Sequence, residues 1–337
     1  MKRAQGFSLV EVMIAMAIGL IVIGGVTAVL ISSSTIYKSA SNRARVQENS
    51  RFTLGTMQDD IHMAGYMGCF NINMFPNRYT NLASGAAYIS DYRSVVAGFE
   101  ANDAGFSPAM DAVVGAVGAR TPLAGSDVLT VRIPTGPSLP LSDAMPTVNA
   151  PIPLASIEGL TVGGLAVVSD CAYANVFAVT QLPATKMVLH AANRNSSAAL
   201  TRVFSNASRA TVTPIATVSY FVANASNNVP GNHALFRQEG GGAAEEVADG
   251  VEQMQLEYGV DTDNPRDNAA NQFVTANNIG AGTVVAVKVS VLLRSGENNV
   301  VRRPQAYTFD GVVGIVPLDR HMYTPFTTTI ALRNRGD

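Results

Sequence analysis

Gly6-Phe7-Ser8-Leu9-Val10-Glu11 opens a run that stays almost wholly apolar to Ile31, and this stretch decides the architecture. Residues 7 through 31 number 25, which is about 37 Å of α-helix, enough to cross a bilayer with some tilt. A secretory signal peptide has an apolar core of about 7–15 residues before a small-residue cleavage site. This run is longer, and its nearest small-residue candidate, Ser39-Ala40-Ser41, sits beside Lys38. An uncleaved membrane anchor fits the length. Neither alternative accounts for Glu11, the single ionisable residue in the run. An unpaired carboxylate at membrane depth costs a few kcal/mol and reads as functional by default.

Glu11 lies four residues past Phe7, about 6 Å along a helix and so near the membrane interface. If the chain is cut after Gly6, Phe7 becomes a new N-terminus whose amine, with a reference pKa of about 8, is mostly positive at neutral pH. Amine and carboxylate at the same depth can then neutralise each other between neighbouring chains. Such pairing favours lateral assembly and fixes axial register.

At these residues the sequence resembles the type IV pilin family, whose pattern is a short basic leader ending in Gly, then Phe-(Ser/Thr)-Leu-(Ile/Val)-Glu and a long apolar helix. Gly6-Phe7-Ser8-Leu9-Val10-Glu11 follows it without departure. The resemblance implies cleavage between Gly6 and Phe7 by a prepilin peptidase, N-methylation of Phe7 and a docking role for Glu11. It also places the N-terminus in the cytoplasm and the head in the periplasm. The charge pattern alone does not, because Lys2 and Arg3 precede the run while Lys38, Arg43, Arg45 and Arg51 follow it. Many major pilins carry a kinking Pro in the run; here only Gly19, Gly24 and Gly25 are weak points.

From Ser32 to His62 there is no Pro and one Gly, Gly55. Leu54, Met57, Ile61 and Ala64 recur at spacings of 3, 4 and 3 and form one apolar stripe, with Arg51, Gln58, Asp59 and Asp60 off it. The pattern predicts one helix from about Phe7 to about Met63, ended by Gly65 and Gly68. Beyond Cys69 the period changes to two. Met254, Leu256, Tyr258 and Val260 alternate with polar residues, as do Val285, Val287, Val289, Val291 and Leu293 with their neighbours. Weaker strand candidates are 127–133, 175–181, 186–191, 216–223 and 233–238. Six prolines between Pro134 and Pro153 exclude a central strand there. The fold class is therefore α+β: a long N-terminal helix, transmembrane and then amphipathic, on a head of mostly antiparallel sheet. The expected divisions are a leader over 1–6, a transmembrane half-helix over 7–31, a periplasmic half-helix over 32–64 and a head over 65–337.

Charged residues make up 14% of the chain, against about a quarter in an ordinary domain, and the net charge of −2 offers no broad basic surface for nucleic acid. Arg302-Arg303 is a small local exception. The two cysteines, Cys69 and Cys171, match no zinc pattern. In an oxidising compartment they can bridge; two unrelated thiols are the alternative. No nucleophile elbow, zinc-protease helix or nucleotide-binding loop is present. His62, His190, His233 and His321 are isolated from one another, so no enzyme, metal or cofactor is expected. The acidic run from Asp261 to Asp267 has carboxylate spacing that could hold calcium, but lacks the Gly and distal Glu of an EF-hand loop and reads first as a hairpin turn. Gly240-Gly241-Gly242 reads as a loop rather than a phosphate cradle.

Length and two further segments, from Met57 to Cys69 and from Thr328 to Asn334, resemble PilW-type minor pilins. That implies a priming complex near a filament tip that supports twitching motility and adhesion. The implied partners are other minor pilins, the major pilin, the inner-membrane assembly platform and a tip adhesin. The alternative is a J-type minor pseudopilin of a type II secretion system.

Overall fold

The computed structural model describes residues 8–70, 78–83, 94–102, 105–118, 120–227, 229–280 and 282–333. Helix α1 runs unbroken over Leu9–Met63, 55 residues, a rod about 82 Å long. Ser8 caps its N-terminus in extended conformation. At the other end Gly65 adopts a left-handed φ of +78° and its N–H donates 2.8 Å to the Arg132 carbonyl. A Cβ on Gly65 would sit 2.9 Å from a Val95 methyl, so glycine is required here both by φ and by space.

The two halves of α1 differ in what covers them. Residues from Leu9 to Ile31 are bare, with none buried. The second half buries Asn42, Val46, Ser50, Thr53, Met57 and Ile61, a stripe at spacings of four, four, three, four and four. Met57, Ile61 and Ala64 are fully enclosed, while Leu54 is half-buried at the margin. The face is therefore rotated from the apolar stripe toward Thr53, and half of it is polar. That rotation was invisible to a hydrophobic count.

Among the described residues two large sheets, with two small two-stranded ones beside them, make the head. The larger has ten strands. Its spine is Thr211–Asn224, which pairs antiparallel with Leu165–Ser169 at its start, Val128–Pro134 in the middle and His233–Glu239 at its end. The smaller sheet orders Gln272–Val274, Val251–Asp261, Thr283–Arg294 and Tyr323–Ala331, all antiparallel. Among the described residues one parallel pairing occurs, between Arg78–Thr80 and Ala174–Ala178. The main core lies where α1 meets both sheets, enclosing Met57, Ile61, Val131, Tyr220, Leu256 and Val289. A separate core, including Leu139, Ile152, Phe177 and Phe204, fills an outer lobe.

The strands expected at 254–260 and 285–293 are present and extend two to three residues further at their starts. The candidate at 186–191 shrinks to Met187–Val188, and 175–181 shifts to Ala174–Ala178. Pro214 sits inside the spine strand, where it faces Ala166 and its carbonyl accepts from Thr135 N–H. The spine is therefore longer than the expected 216–223. Within the proline-rich stretch the strands are two residues long, Leu139–Pro140 and Ile152–Pro153, with a single bridge between Leu141 and Leu154.

Candidate assembly site: the helix start and the helix–head joint

The first turn of α1 is built by a Ser-x-x-Glu pattern. Ser8 Oγ accepts the Glu11 backbone N–H at 3.2 Å, satisfying one of the four free donors at a helix start, and a carboxylate in the first turn favours the helix dipole. Ser8 was not singled out from the sequence, although Ser three residues before Glu is a recognisable capping signal. The Glu11 side chain is exposed, and its carboxylate makes no hydrogen bond or ion pair with a described residue. Gly6 and Phe7 lie outside the described residues.

The other end of α1 is tied to the head through Asp60. The Tyr220 hydroxyl donates 2.6 Å to Asp60 Oδ2, and Arg237 Nε donates 2.9 Å to the same oxygen. Burial first, and then the Asp60 carboxylate, hold the Tyr220 phenol well above its usual range. Nearby, His62 Nδ1 lies 2.7 Å from the Ala331 carbonyl. That contact joins the two segments, 57–69 and 328–333, that carry the PilW-like pattern. Asn49 reaches Asp249 at 2.6 Å, closing the opposite flank.

Just past the helix, Cys69 and Cys171 form a disulfide with Cα atoms 4.8 Å apart. It fastens the turn after α1 to the outer lobe. Ser169 Oγ donates 2.5 Å to the Met67 carbonyl beside it.

A second joint links the two sheets. The Asp127 carboxylate accepts the Ala101 N–H and the Leu256 N–H, both at 2.9 Å, one from each sheet. Burial nevertheless pushes Asp127 up to about 7, with those hydrogen bonds opposing and Glu100 adding to the rise. Burial also raises Glu100. Tyr258, fully buried, is raised by burial and by these two carboxylates.

The four histidines bond to separate segments. His233 meets Glu252 at 2.7 Å, His321 the Ser295 carbonyl at 2.8 Å and the buried His190 the Ala150 carbonyl at 3.0 Å. Asp261, Asp263 and Asp267 bring carboxylate oxygens within 4.8 Å of one another. Asp261 is already occupied by the N–H groups of Asp263 and Asn268 at 2.9 and 2.8 Å, the bonding of a turn that closes itself. Gly240–Gly242 is the turn between the strands His233–Glu239 and Ala244–Asp249.

A bare apolar half-helix with an acid in its first turn, carrying a β-rich head on its other half, is the arrangement of a type IV pilin. Residues 1–27 match the prokaryotic N-terminal methylation motif. Residues 219–334 match type IV pilus-assembly protein W, and the two matches together support a pilin of the PilW type. No curated protein and no solved structure matches significantly. The second match covers the smaller sheet and most of the strands beside α1, but not Val128–Pro134. Residues 28–218, including the outer lobe and the disulfide, lie outside both matches.

Proposed function

We propose that this minor pilin joins a complex that primes filament growth and stays near the tip, and that it supports twitching motility and adhesion by assembly rather than catalysis. The observation that carries the reading is the contrast within α1: an uncovered apolar half bearing Glu11, and a half locked to the head by Asp60. In this reading residues 1–6 are a leader removed by a prepilin peptidase. Phe7 is then N-methylated, residues 7–31 hold the chain in the inner membrane, and residues 32–64 brace a periplasmic head over 65–337. Glu11 pairs with the Phe7 amine of a neighbouring subunit. Other minor pilins, the major pilin, the assembly platform and a tip adhesin are its partners.

Mass spectrometry of the N-terminus from sheared filaments tests the reading. Protein beginning at methylated Phe7 and present in the filament is the expected result. A chain that retains residues 1–6, or that begins beyond Ile31, overturns it. Gene deletion separates the reading from a secretion pseudopilin: loss of pili and twitching with normal exoprotein secretion is expected, and the reverse would assign the chain to secretion.

A further inference from the structure

Where α1 leaves its apolar half, the head reaches back toward it. The segment from Asn299 to Gln305, with Arg320 and Met322, lies along helix residues 28–43 and encloses a groove of about 760 Å³ at its widest part. Five cations line it: Lys38 and Arg43 from the helix, and Arg302, Arg303 and Arg320 from the head. Among the described residues no Asp or Glu lines it, all five cations are exposed, and none of them makes an ion pair. Arg302 and Arg320 share their part of the groove with Ala28, Ile31, Ser32 and Thr35, the last turns of the apolar run.

That height is informative. A span starting at Phe7 and about 30 Å thick in hydrocarbon ends near residue 27, so residues 28–32 stand among lipid headgroups and the next turns rise just above them. The sequence already carries more positive charge after the run than before it, against the usual bias. Folding then adds three arginines from a segment some 270 residues away in the chain. Guanidinium groups bind phosphate oxygens in a bidentate manner. Asn299 and Thr35 offer further polar groups in the same groove. Ile31, Ile36 and Val301 provide apolar wall for the start of an acyl chain.

We infer that the groove between residues 28–43 of α1 and the 299–305 segment with Arg320 binds the phosphate headgroup of an anionic phospholipid in the outer leaflet of the inner membrane. The inference rests on the topology proposed above. Binding would hold the head down on the bilayer in a fixed rotation about α1 before the subunit is extracted into a filament.

The test uses the full-length protein, purified in detergent from cells that contain a prepilin peptidase. It is titrated with phosphatidylglycerol or phosphatidylcholine of matched acyl chains and read by native mass spectrometry. Each basic residue close to an anionic lipid surface contributes about five-fold, so the wild type should retain phosphatidylglycerol at least about ten-fold more tightly. The triple variant Arg302→Gln, Arg303→Gln, Arg320→Gln should hold the two lipids alike, at an unchanged denaturation midpoint. Equal retention by the wild type overturns the inference, and so does a preference that survives in the triple variant. If the wild type ignores headgroup charge while the variant fails to co-purify with other pilus subunits, the groove belongs to an acidic protein partner. The same spectra report the N-terminal mass. A chain processed at Phe7 without lipid preference ends this inference and leaves the pilin reading standing; an unprocessed chain with the preference does the opposite.

Discussion

The hydroxyl of Tyr220 donates to Asp60 Oδ2 at 2.6 Å across 160 residues of sequence, and Arg237 binds the same oxygen at 2.9 Å. The acid lies on the helix and both partners lie on the large sheet, so the triad fixes the rotation of α1 about its axis. With side-chain exposures of 18% for Asp60 and 25% for Arg237, the pair is partly desolvated and is worth more than a surface ion pair. Tyr220→Phe should cost about 1 kcal/mol, and Asp60→Ala, which takes the acceptor from the buried Tyr220 hydroxyl and from Arg237 Nε, about 2–3 kcal/mol. Chemical denaturation of the two single variants and their double variant reads the coupling. Additive losses would mean that the residues do not act together.

Asp127 makes the inter-sheet joint sensitive to pH. Its folded pKa of about 7 is above the reference value of 3.8, so the folded state binds the extra proton. Its contribution is therefore fully present below about pH 4 and is lost as pH rises through about 7. Thermal unfolding should show a melting temperature that declines from pH 5 to pH 8, and Asp127→Asn should flatten the decline while lowering the plateau. An unchanged slope in the variant would assign the dependence to other groups.

Gly98 is needed because Tyr258 leaves no room beside it. A Cβ at Gly98 would lie 2.0 Å from the Tyr258 hydroxyl and 2.3 Å from its ring carbon, and Tyr258 is fully enclosed. Gly98→Ala should destabilise by about 1–3 kcal/mol through overpacking. Tyr258→Phe removes only the first of those contacts, so combining the two should recover part of the loss. Full recovery would show that the ring moves freely.

The Cys69–Cys171 bond closes a loop of 102 residues. A loop of that length constrains the unfolded chain by about 4–5 kcal/mol in the entropic account. Cys171→Ser should lower the denaturation midpoint by a corresponding amount and make it insensitive to reductant. A wild-type protein whose midpoint ignores reductant would remove the effect.

How far these features could be read in advance follows the exposure of each element. The anchor was legible because lipid demands a long uninterrupted apolar run. The strands Val251–Asp261 and Thr283–Arg294 were legible because the polar residues Gln255, Glu257, Lys288 and Ser290, partly exposed, alternate with buried apolar neighbours. The spine Thr211–Asn224 is buried on both faces over nearly its whole length, so only a weak alternation around Thr217 and Ser219 marks it, and Pro214 reads as a breaker. Tyr323–Ala331 tolerates Pro325 because it is an edge strand. Asp60 was read as lying off the apolar stripe. Its role depends on Tyr220 and Arg237, and no local pattern links residues so distant.

The last prediction concerns Glu11. Ser8 already satisfies its backbone N–H, and the helix continues through the next 52 residues to Met63, so the fold does not depend on the carboxylate. Glu11→Ala should therefore insert, be cleaved and show an unchanged denaturation midpoint. An uncompensated amine at membrane depth costs a few kcal/mol, and without the acid a neighbouring Phe7 amine would lack its counter-charge. Recovery of the variant in sheared filaments should fall at least about ten-fold, since 1.4 kcal/mol already gives that factor. Glu11→Asp, which keeps the charge on a shorter arm, should recover part of it. Normal incorporation of Glu11→Ala would mean that apolar packing alone sets the register of these helices.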